Sequence, residues 1–292
     1  MRRSSPSSAL GLARAPRMPL FTASCIPLVI LLVLALASGC GDEGDPTPDV
    51  DAAPPAGGTI TIAWQIEDPA NPGITLTCGQ VAASGVRLTI RPVGGGSGDV
   101  DSFSCDGGMA TTRDFNPGQY NMELALTAGL KDLVVVPVMG VTLEANNNTQ
   151  LAGVTFAVRP RGNLQFQVGN SLGRPNCTAT PAGAGMTEVS LQLRDADDTC
   201  IPTTFILDPD NAATSYPSDC QNPTPAVCIE NDVPISAVVN SGSLKLAITG
   251  RQGNETCFTR VSQFTVPGND LDTQLPTQTL LLDDGNGNCI TQ

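Results

Sequence analysis

Side-chain catalysis near neutral pH needs a group that can take up a proton or attack an electrophile, and this chain holds few. It contains no histidine. That removes Ser-His-Asp and Cys-His nucleophile pairs, histidine general bases and nearly all catalytic zinc sites. A Ser–Lys dyad would have to use one of two lysines, Lys131 or Lys245. Lys245 falls between Leu244 and Leu246 in an alternating run, where a solvated strand residue belongs. Glu67-Asp68, Asp197-Asp198 and Asp283-Asp284 could in principle supply the carboxylate pair of a glycosidase. Adjacent acids are common in turns, however, and aromatic rings to stack sugars are few: Trp64, Tyr120 and Tyr216. Trp64 lies on the apolar face of its segment, as a core residue does.

Oxygen ligands for calcium are the other chemistry on offer. Asp284-x-Asn286-x-Asn288 spaces three of them at alternate positions of a Gly-rich stretch, and Asp195-x-Asp197 with Asp198 forms a second cluster. A full EF-hand loop needs glycine at its sixth position and glutamate at its twelfth, and the chain stops at Gln292. A plain acidic turn is the simpler reading, and no other cofactor is indicated. Zinc is disfavoured because no cysteine pair has the C-x₂-C spacing. Asn147-Asn148-Thr149, Asn176-Cys177-Thr178 and Asn254-Glu255-Thr256 match the glycosylation sequon.

What positions these residues is decided first at the N-terminus. Met1–Met18 carries Arg2, Arg3, Arg14 and Arg17 and no acid, and Ile26–Leu36 is an uncharged run of 11 residues. That run has the length of a signal-peptide h-region and is too short to span a bilayer. Ala37-Ser38-Gly39-Cys40 follows. The junction Leu36-Ala37-Ser38-Gly39-Cys40 resembles the lipobox of bacterial lipoproteins. The resemblance implies removal of residues 1–39, acylation of Cys40 and attachment to a membrane through that lipid. An ordinary secretory signal cleaved nearby, without lipid, is the alternative. Gly41, where an aspartate would mark inner-membrane retention in enteric bacteria, favours the outer membrane.

Beyond Cys40, 11 basic residues face 28 acidic ones, a net charge of −17. Nucleic acid needs a cationic face, so it is excluded as a partner. Residues 40–57 form an acidic Pro/Gly-rich tether that cannot bury enough apolar surface to order itself. From Thr59 the chain alternates. Ile60, Ile62, Trp64 and Ile66 oppose Thr59, Thr61, Ala63 and Gln65, which predicts a strand with one buried face. The same period recurs at Val86–Ile90, Tyr120–Leu126 and Val154–Val158, with turn residues between. Leu133–Leu143 is continuous enough to be a strand buried on both sides.

A second unit, 159–292, repeats the first, 58–158. Gly58-Thr59-Ile60 answers Gly162-Asn163-Leu164 at an offset of 104, and Thr149-Gln150-Leu151 answers Thr273-Gln274-Leu275 at 124. The difference places an insertion near 208–225. The spacing suggests four disulfides in an exported chain: Cys78–Cys105 and Cys177–Cys228 as equivalent bridges, Cys200–Cys220 clipping the insertion, and Cys257–Cys289 pinning the C-terminus. The expected fold is all-β, with two tandem Greek-key β-sandwiches of Ig-like or transthyretin-like type linked internally by disulfides. Pro117-Gly118-Gln119-Tyr120 resembles the PG-x-Y strand of transthyretin-like and carboxypeptidase-regulatory-like modules, which implies a structural or adhesive role. The second unit has Ser241-Gly242-Ser243-Leu244 there and no tyrosine.

The resulting expectation is a non-enzymatic binding, adhesion or scaffold module of the cell envelope, with a protein or polysaccharide partner. The alternatives are an accessory lipoprotein of an outer-membrane complex and, last, a carboxylate-dependent hydrolase.

Overall fold

A computed structural model describes residues 56–208, 213–220, 226–283 and 289. Nine strands come first: β1 (Thr59–Glu67), β2 (Thr75–Leu76), β3 (Gly85–Pro92), β4 (Asp99–Ser104), β5 (Met109–Thr111), β6 (Gly118–Ala128), β7 (Lys131–Leu143), β8 (Asn148–Gln150) and β9 (Val154–Ala157). β4, β3, β6 and β7 form one sheet in that order; β1 is the centre of the other, with β2 and β5 on one side and β8 and β9 on the other. β5 interrupts the path from β4 to β6 in the opposite sheet, so the chain crosses the sandwich as a Greek key does. The alternating residues of β1 point into this core, where Ile60, Ile62, Trp64 and Ile66 are buried against Leu88, Leu124 and Phe156.

Twelve more strands follow: β10 (Arg161–Phe166), β11 (Val168–Asn170), β12 (Glu188–Asp195), β13 (Cys200–Ile201), β14 (Thr203–Leu207), β15 (Thr214–Ser218), β16 (Ala226–Val227), β17 (Ile235–Asn240), β18 (Gly242–Gln252), β19 (Glu255–Val266), β20 (Asp272–Gln274) and β21 (Gln278–Leu282). One sheet runs β15-β14-β17-β10-β20; the other runs β11-β21-β19-β18-β12-β13, with β16 also on β12. Phe166, Leu191, Phe205, Ile248 and Phe258 fill the second core.

The repeat is visible in the register. β1 and β8 are parallel, with Ile60 opposite Thr149; β10 and β20 are parallel, with Leu164 opposite Thr273. Leu151 donates its N–H to the Thr61 carbonyl at 3.0 Å, and Leu275 donates to Gln165 at 2.9 Å. Both copies open with glycine for the same steric reason. A Cβ on Gly58 would stand 2.4 Å from the Glu144 carbonyl, and one on Gly162 would stand 2.4 Å from that of Pro267. The extra length of the second copy includes the β14–β15 hairpin, which extends the β17 edge.

Cys78–Cys105, Cys177–Cys228, Cys200–Cys220 and Cys257–Cys289 are bonded. The first lies beside Trp64, whose indole N–H donates to the Cys105 carbonyl at 3.0 Å. Tyr120 closes the turn before its own strand, its hydroxyl donating to the Asn116 carbonyl at 2.7 Å. This is the tyrosine-corner contact of Greek-key sandwiches.

β7 departs from the expectation of a strand buried on both sides. It is the edge of its sheet, paired only with β6; Val135 and Met139 are 46% and 70% exposed. Its apolar run tolerates Pro137 because an edge strand can lack one ladder donor.

The two sandwiches meet through a dense joint. The Gly268 N–H donates to the Val81 carbonyl at 3.0 Å, and Ser241 donates to the Gln80 carbonyl at 2.5 Å. Asn269 and Asp270 both adopt positive φ, a conformation that Asn and Asp tolerate better than most residues. The Asn269 side chain donates to the Leu133 carbonyl at 2.5 Å; within the second copy, Asp270 accepts from Arg159 at 2.7 Å and Arg161 at 2.6 Å. Leu271, from the second copy, packs against the first core.

Candidate binding cleft

A concavity of about 740 Å³ lies where the first strand of the second copy changes sheets. β10 pairs with β17 and β20 as far as Phe166, and β11 then pairs with β21. Gln167 sits at the step. The N–H of Gln278 bonds its carbonyl at 2.7 Å, so the backbone at the step is satisfied while the two sheets diverge. Gln165 and Gln167 line one wall, Gln274 through Thr277 a second, and Pro234 through Ser236 with Asp208 a third.

The polar side chains here are partly uncommitted. Gln167 donates to the Asp232 carbonyl at 3.1 Å. The side chains of Gln165 and Gln274 have no hydrogen-bond partner among the described residues. One carboxylate oxygen of Asp208, Oδ1, is buried and unpaired. No lysine or arginine is among the lining residues. Sequence reasoning missed this site. Three glutamines and one aspartate, drawn from segments 40 to 110 residues apart, carry no local pattern that singles them out.

The residues singled out in the sequence fall elsewhere. Trp64 is a core residue, 7% exposed and stacked on Phe103 at 6.2 Å. Asp68 accepts from the Ala70 N–H at 2.9 Å and from Asn71 at 2.6 Å; these bonds hold its carboxyl below the usual range. Asp195 accepts from the N–H groups of Asp197 and Thr199 at 2.9 and 2.8 Å, an ordinary turn closure. Asp198 bonds Lys245 at 2.8 Å, and that ammonium lowers its pKa. The bond occupies both the best lysine candidate and one member of the proposed oxygen cluster. Lys131 donates to the Asp272 carbonyl at 2.8 Å. Asp270 is lowered chiefly by its bonds to Arg159 and Arg161. Among the described residues no group of three or more acids, cysteines or histidines could hold a metal. Asp284, Asn286, Asn288 and Cys40 lie outside the described residues.

No protein-family model matches the chain, and no curated protein matches it. Solved structures similar to it share its β architecture at low identity. The TIE protein of Bacillus anthracis is 10% identical with a TM-score of 0.35, over 76% of this chain and 34% of that one. The fimbrial anchor protein of Porphyromonas gingivalis is 9% identical with a TM-score of 0.27, over 70% and 82%. A streptococcal ancillary pilin is 11% identical with a TM-score of 0.25, over 76% and 62%. The chain spans about a third of the length of the TIE protein. At scores this low the likenesses carry no argument about function.

Of the sequons, Asn176 is wholly buried. Its amide donates to the Val168 and Ile229 carbonyls at 3.1 and 2.9 Å and accepts from Asn170 at 2.7 Å. The folded protein offers that amide to no modifying enzyme.

Proposed function

We propose that the chain is a lipid-anchored envelope protein whose two sandwiches act as one non-enzymatic binding module, of adhesive or scaffolding kind. The observation that carries this reading is the joint. Bonds from Gly268 to Val81, from Ser241 to Gln80 and from Asn269 to Leu133 fix the second sandwich on the first. The cleft, roughly 20 Å along β10 from that joint, is therefore held in a set orientation relative to the first sandwich. Such a layout presents a surface at a distance from a membrane.

The acids support the same reading. Among the described residues, the carboxyls whose acidity is clearly perturbed, Asp68, Asp198 and Asp270, are shifted down by hydrogen bonds and cations. A glycosidase acid needs the opposite shift so that it still holds its proton near neutral pH.

Two measurements test the proposal. The mature N-terminal peptide should carry an acylated Cys40, and Cys40→Ala should move the protein from the membrane to the soluble fraction. Cells lacking the protein should attach less well to a surface that the wild type colonises. An unmodified N-terminus elsewhere would remove the anchor. Unchanged attachment would count against adhesion, and sustained release of reducing sugar from polysaccharide by the purified chain would establish a hydrolase instead.

A further inference from the structure

We infer that the cleft at the β10–β11 step binds a neutral saccharide through its glutamine amides and the Asp208 carboxylate that lines it. The inference rests on the binding-module reading above and supplies its ligand class.

The repeat provides an internal control. By register, Gln165 corresponds to Thr61, Gln274 to Gln150, and Ser236 to Thr111. In the first sandwich these positions satisfy one another. Thr61 Oγ1 bonds Thr111 Oγ1 at 2.8 Å and accepts from Asn148 at 3.0 Å, and Gln150 donates to Asn148 at 3.3 Å. In the second sandwich Gln165 and Ser236 stand where that hydroxyl pair does, and the Gln165 amide, like that of Gln274, lines the cleft. The insertion hairpin brings Asp208 beside them, tied through its N–H to the Pro234 carbonyl at 3.0 Å. The corresponding side chains of the first sandwich bond one another, whereas Gln165 and Gln274 of the second make no such bond among the described residues.

The chemistry selects the ligand. A primary amide offers both donors and acceptors, and a carboxylate offers acceptors only. Together they match sugar hydroxyls, which donate and accept. An anionic ligand would meet the Asp208 charge with no lining cation to offset it. A divalent cation would find one carboxylate where such sites use several. Leu275 and Pro276 add an apolar wall for the C–H face of a pyranose. The volume lies within the usual range for small-ligand sites. Phe166 is buried and offers no stacking face, so binding at one site is weak and gains from multivalent presentation on a polymer.

The test uses the full mature chain on an array of neutral glucans, mannans, galactans and xylans, followed by calorimetric titration of any soluble polymer that retains it. The expected result is retention by at least one neutral polymer, insensitive to EDTA and to high salt. Gln274→Leu and Asp208→Ala should each weaken binding tenfold or more, and Gln150→Leu, the corresponding position of the first sandwich, should not. Gln274 is exposed, so its variant folds if Asp208→Ala does not. No retention by any neutral polymer overturns the inference, as does binding unchanged in both cleft variants or abolished by EDTA. Retention only by acidic polymers or by proteins also overturns the ligand class, yet leaves the binding-module reading standing. Failure of the attachment measurement would strike that reading itself.

Discussion

The nested disulfides of the second sandwich give a prediction whose size follows from the topology. Cys200–Cys220 spans 20 residues inside the 51 spanned by Cys177–Cys228. Restricting the unfolded chain in this way gives the inner bridge about 3.3 kcal/mol at 25 °C. With the inner bridge in place, the outer one closes an effective loop of about 31 residues and contributes about 3.7 kcal/mol. Without it, the outer bridge closes the whole loop and contributes about 4.1 kcal/mol. Replacing Cys177 and Cys228 by alanine should therefore cost about 3.7 kcal/mol, replacing Cys200 and Cys220 about 2.9, and replacing all four about 7. The pairs should differ from additivity by about 0.4 kcal/mol, the sign being set by the nesting. Urea unfolding of the mature chain followed by circular dichroism measures each loss from the midpoint and slope. An outer-bridge loss below about 1.5 kcal/mol, or an inner loss exceeding the outer one, would refute the loop-entropy account.

Three further outcomes are expected. Asp270 has its pKa lowered by Arg159 and Arg161, so its contribution is present above the unfolded value near 3.9 and fades as pH falls through the folded one. Asp270→Asn should accordingly lower Tm at pH 7, with the gap to wild type closing below about pH 4 in a thermal melt series. Tyr120→Phe removes only the bond to Asn116 and should cost about 1 kcal/mol in urea unfolding, with the slope unchanged. Asn176→Ala strands two buried carbonyls and should cost about 3 kcal/mol by the same assay; a loss under about 1 would mean that water replaces the amide.

The sandwiches were legible where burial is one-sided. β1 alternates cleanly because one face meets the core and the other meets solvent, and the β6 and β18 strands read the same way. β7 misled because consecutive valines on an edge strand look, in sequence, like a strand covered on both faces. The β14–β15 hairpin was seen in the sequence only as an insertion near 208–225; Pro217 sits in β15, the edge strand of its sheet, where a missing ladder donor is tolerated. The lack of histidine limited the chemistry without any structure. The cleft was not legible at all. It arises from a strand changing sheets, and the parallel partner that forms its wall lies more than 100 residues away.

The parallel pairing of first and last strands also determines how the protein bears load. In each sandwich the opening strand and the closing strand run side by side in the same direction, β1 with β8 and β9, and β10 and β11 with β20 and β21. A pull on the two ends of such a unit drags these neighbours past each other. The hydrogen bonds between them then strain together and break together; they cannot open one at a time from an end. Beyond β21, the Cys257–Cys289 bond hands part of the force to β19 in the middle of its sheet. The chain is therefore strung to resist stretching along its length, and it should yield far more easily when a hairpin such as β14–β15 is peeled sideways.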